Sequence, residues 1–67
     1  MENERLKVIK IGKYYYTNRC NANSTLELTL NIQQARWFDT SVRGVKERMT
    51  EICVDYGGER RNLIDEL

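Results

Sequence analysis

SVRGVKERMTEICVDYGG, residues 41–58, is the one segment long and periodic enough to be read as a helix. Its large apolar residues stand at Val42, Val45, Met49, Ile52, Cys53 and Tyr56. At about 100° per residue they fall within an arc of about 100°, the width of a stripe that faces a core on one side only. Asp39, Thr40 and Ser41 offer N-cap side chains before it, and Gly57-Gly58 offers a left-handed stop after it. The stripe needs a partner surface, which the rest of the chain must furnish.

The residues ahead of the helix read as strands. Leu6 to Ile11, LKVIKI, and Tyr14 to Thr17, YYYT, are rich in strand formers and flank Gly12-Lys13. As a type II′ hairpin this arrangement sets Ile11 opposite Tyr14 and Ile9 opposite Tyr16, with all four on one apolar face. As one long bent strand with a glycine bulge, residues 6–17 would instead absorb the break in alternation at Ile9 and Lys10. The hairpin is preferred because it gives the sheet a third strand. Asn18 to Ser24 has loop composition. Thr25 to Ile32, TLELTLNI, alternates strictly, with Leu26, Leu28, Leu30 and Ile32 on one face, and predicts a strand with that face on a core.

Gln33 to Phe38 predicts a helical turn leading into the main helix. Trp37 and Phe38 are adjacent, so one is expected to close the core while the other is more exposed. Beyond Gly58 the chain is polar except for Leu63, Ile64 and Leu67, which make one short helical turn; MENER, residues 1–5, reads as a frayed end. The expected fold is one α+β domain over residues 1–67. Its three-stranded antiparallel sheet is covered on one face by one main helix, in the order β-β-β-α with a short helical C-terminal tail.

The chain has 67 residues, a net charge of +1, two cysteines and no histidine. A chain this short buries only about 60% of its unfolded surface, so assembly with a second copy is expected to help it. Lacking histidine, it lacks the commonest general base, the commonest metal ligand and every Ser-His or Cys-His pair, so no enzyme, metal or cofactor is expected. Cys20 and Cys53 are expected as reduced thiols, Cys53 as a core residue. No run reaches the roughly 18 apolar residues of a membrane span, and the expected location is cytoplasmic.

The expected function is therefore non-enzymatic: a small intracellular regulator or inhibitor acting by protein contact, of the kind that phages and other mobile elements encode. Opposite the apolar stripe lie Glu47, Glu51 and Asp55 at successive i, i+4 steps, preceded by Gly44. This charge order opposes the helix dipole and fits a face that meets a partner with a basic surface, with Gly44 admitting close approach. The alternative is a single-stranded nucleic-acid or RNA binder using Lys7, Lys10, Lys13, Tyr15 and Arg19, rings stacking on bases while cations follow phosphates. Trp37, Phe38, Leu63, Ile64 and Leu67, left over once one helix covers one sheet face, form the expected homodimer interface.

Overall fold

The computed structural model describes residues 5–67, and the polar end at 1–4 lies outside the described residues. Five strands form one antiparallel sheet: β1 (Leu6–Ile11), β2 (Tyr14–Cys20), β3 (Leu26–Thr29), β4 (Phe38–Asp39) and β5 (Glu59–Asn62). The main helix α1 spans Val45–Tyr56, and a single turn, α2, spans Leu63–Glu66. β1 is the hub. Lys7 pairs with both Phe38 and Asn62, and Lys10 with both Tyr15 and Glu59, so β5 runs along one edge of β1 while β2 and β4 divide the other. β3 pairs with β2 outside this group.

The hairpin forms with Ile11 opposite Tyr14 and with a positive φ at Gly12, as the II′ reading requires. The break in alternation within β1 has another cause than a bulge. Val8 and Ile9 are both fully buried, because β1 is covered on both faces. On one face Ile9, Tyr16 and Phe38 pack against Met49 and Ile52 of α1, with Val45 and Cys53 beside them, and Tyr16 stacks on Phe38 at 6.2 Å. On the other, Val8, Ala35 and Leu63 form a second cluster flanked by Leu6, Tyr15 and Ile32. Burial pushes the Cys53 thiol up, and Cys20 lies exposed.

Several expectations are corrected. The sheet has five strands, not three, because the polar run ERRN pairs with β1 and Phe38–Asp39 pairs with its start. The helix begins at Val45, not near Ser41. Thr40 is tied by two bonds to the Arg5 carbonyl just before β1, and Asp39 Oδ1 caps Ser41 in a local turn, its carboxyl held below the usual range by those bonds. Gly44, with φ +87°, is therefore the N-cap rather than a helix-interior residue, and Val42 stays exposed. Finally, the alternating leucines do not all face a core. β3 ends at Thr29, Leu28 is exposed and Leu30 is 63% exposed, because α1 lies over β1 and β5 and of the outer strand's leucines only Leu26 packs against the core beneath it. The expected helical turn is a short 3-10 helix, Ile32–Gln34, followed by β4 rather than by α1.

Candidate functional site

α2 gives the second sheet face its character. Its Leu63 is buried under Val8 and Ala35, which brings Glu66 over the sheet with its side chain only 6% exposed. Glu66 accepts the Tyr15 hydroxyl at 2.7 Å and the Arg61 Nε–H at 3.1 Å, with Lys10 Nζ at 3.7 Å, and Arg61 also reaches Glu59 at 3.1 Å. The Tyr15 hydrogen bond, joined by Arg61, holds the Glu66 carboxyl below its usual range; the same bond pushes the Tyr15 phenol up. This cluster pins the end of the chain to the sheet. No periodicity marks it, since Tyr15, Glu59, Arg61 and Glu66 meet only through strand pairing and the final turn.

With Leu63 turned inward, Ile64 and Leu67 stay outside beside Trp37 and Leu6, and together these five residues line an apolar groove of about 240 Å³. The indole of Trp37 is fixed there by its N–H, which donates to the Ile32 carbonyl at 3.0 Å. On the far side of Trp37 lies an open polar cleft of about 560 Å³ lined by Arg19, Gln33, Gln34 and Arg36 among others.

Of the expected dimer residues, Phe38 and Leu63 belong to the monomer's own core, so Phe38 is the ring that closes it and Trp37 the exposed one. The expected nucleic-acid residues do not assemble into a groove. Lys7 donates to Asn62 Oδ1, Lys10 and Tyr15 meet over Glu66, Lys13 lies 5.6 Å from the Tyr14 ring, and Arg19 is in the polar cleft. Tyr15 is half-buried, with Lys10 beside its ring and its phenol engaged by Glu66.

Glu47, Glu51 and Asp55 all lie exposed on α1, with no ion pair among the described residues, and Val54 between them is 78% exposed. This face and the groove are on opposite sides of the sheet. Gly44 marks the start of the acidic face but serves the backbone. Replacing Glu51 and Asp55 together with lysine is expected to raise the thermal midpoint by a few degrees, since bases then sit at the negative end of the helix dipole. A lowered midpoint would show that these carboxylates hold contacts within the fold.

Among the described residues, no group of three or more His, Cys, Asp or Glu side chains is placed to hold a metal ion, and no helix is long and apolar enough to cross a membrane. No protein-family model matches the chain, and no curated protein or solved structure matches it.

Proposed function

We propose that the protein is a non-enzymatic binding module that acts by protein contact, in the manner of a small regulator or inhibitor such as phages and other mobile elements encode. The observation that carries this reading is the apolar groove of Leu6, Trp37, Leu63, Ile64 and Leu67. A held tryptophan beside exposed aliphatic side chains is the composition of an interface centre, where one or two apolar residues of a partner are desolvated at once. The acidic face of α1, on the other side, steers a partner with a basic surface and acts mainly on association rate.

Ile64 is exposed, so Ile64→Lys leaves the fold's own packing in place. The test is capture of a discrete protein by the wild-type chain from nuclease-treated lysate, with loss of about 2 kcal/mol or more of binding in Ile64→Lys. Capture that nuclease abolishes would turn the reading toward nucleic acid.

One observation favours that second reading, moved from the hairpin to the polar cleft: Arg19 and Arg36 flank Gln33, Gln34 and the exposed Trp37 there. A single strand could stack a base on the indole while the guanidiniums meet phosphates. Oligonucleotide binding that weakens steeply with salt and disappears in Trp37→Ala would promote it.

A further inference from the structure

The two outer edges of the sheet differ. The β5 edge is guarded by Glu59, Arg60 and Arg61, charges of the kind that keep edges from pairing. The β3 edge, LELT, has neither lysine nor proline, and among the described residues β3 pairs with β2 alone. The chain after β3 leaves across the sheet face, where Ile32 and Ala35 join the second cluster and the Arg36 N–H donates to the Tyr16 carbonyl, and so does not cover the edge.

The direction of the edge groups follows from one side-chain bond. Thr17 Oγ1 donates to the Glu27 carbonyl at 2.8 Å, so Glu27 faces β2. Alternation along the strand turns the N–H and C=O of Leu28 toward the open edge. Leu28, opposite Tyr16, is also exposed on the α1 face of the sheet, beyond the reach of the helix, and Leu30 is exposed just past the strand's end.

We propose that a second copy of this chain docks here, β3 against β3, antiparallel, with the two-fold axis at Leu28. The strand is complementary to itself in that register. Leu28 meets the second copy's Leu28 and exchanges two backbone hydrogen bonds with it, while Leu30, in the bend just past the strand, comes beside the second copy's Leu26. Glu27, the strand's one charge, falls opposite the second copy's Thr29. Centring the pairing one residue earlier would set two Glu27 carboxylates face to face. The contact is isologous and closes at two copies, joining two five-stranded sheets into one. It is independent of the groove, which is on the other face and away from this edge.

Sedimentation equilibrium at about 100 μM, well above the dissociation constant of a weak dimer, is expected to give twice the chain mass. Leu28→Pro removes the outward N–H while sparing the bonds of Glu27 and Thr29 to β2, and should leave a folded monomer with unchanged far-ultraviolet circular dichroism. Should that variant not fold, Thr29→Glu and Thr29→Lys decide. Both lose the same hydroxyl, but one sets a carboxylate and the other an ammonium against Glu27 at two symmetric places, so the lysine variant should dimerise roughly tenfold or more tightly than the glutamate one. Ile64→Lys should dimerise like the wild type. A wild-type monomer, equal dimerisation of the two Thr29 variants, or a dimer lost in Ile64→Lys would each overturn the proposal.

Discussion

Glu66→Ala is expected to lower the stability of the fold by about 2 to 3 kcal/mol, a large share of the roughly 3 to 10 kcal/mol that a chain of this length commands. The carboxylate accepts from Tyr15 and Arg61, lies near Lys10 and is almost wholly covered, so its removal takes the Tyr15 phenol's partner and the charge that ties Arg61 and Lys10 to α2 at once. Glu66→Gln keeps the shape and separates charge from hydrogen bonding. Its effect depends on pH with a definite sign. The Glu66 carboxyl is held below its unfolded value, so its stabilisation is fully present above the ordinary carboxyl range and is lost as pH falls through the folded value. Tyr15 is raised, so its contribution is present below the ordinary phenol range and fades as pH climbs through the folded value. Urea midpoints across pH should therefore fall at both ends in the wild type. The acid limb should be shallower in Glu66→Gln but not flat, because Asp39 is also held down by its bonds to Ser41. An acid limb of unchanged steepness would show that the Glu66 cluster does not hold α2 in place.

Gly58→Ala is expected to cost about 1 to 3 kcal/mol by overpacking. A β-carbon at Gly58 would stand 2.8 Å from Ile9 Cγ2, 3.0 Å from Ile11 Cγ1 and 3.2 Å from the Lys10 carbonyl. Ile9 is fully buried and Lys10 is tied into the ladder with Glu59, so neither neighbour can retreat cheaply. Gly57 makes the control. It has φ +70° and nothing within 4 Å of an added β-carbon, so Gly57→Ala carries only the left-handed backbone strain, about 1 kcal/mol. Urea denaturation of the two variants should place Gly58→Ala as the less stable. The reverse order would mean that the turn joining α1 to β5 approaches β1 less closely than the packing here requires.

Much of the local structure was legible in the residues. Gly12-Lys13 between two runs of strand formers specified the hairpin and its register, and Met49 and Ile52 on a helical stripe marked what α1 buries. Gly57 stopped the helix with the geometry its lack of a side chain permits. These features are encoded within a few residues, by backbone preference and by the period at which apolar side chains recur. The rest arises between segments far apart in the chain. ERRN has no apolar alternation, because a strand at a sheet's edge can be held by backbone hydrogen bonds alone, and backbone groups are the same in every sequence. TLELTLNI alternates as though buried, yet Leu28 and Leu30 end outside while Leu26 packs on the core, since periodicity says which side chains share a face and not whether anything reaches all of that face. The Glu66 cluster, the groove beside Trp37 and the close approach at Gly58 are likewise products of how strands pair and where the last turn folds back. Tertiary pairing alone decided them, because their energy lies in contacts whose partners are tens of residues apart and leave no local pattern to read.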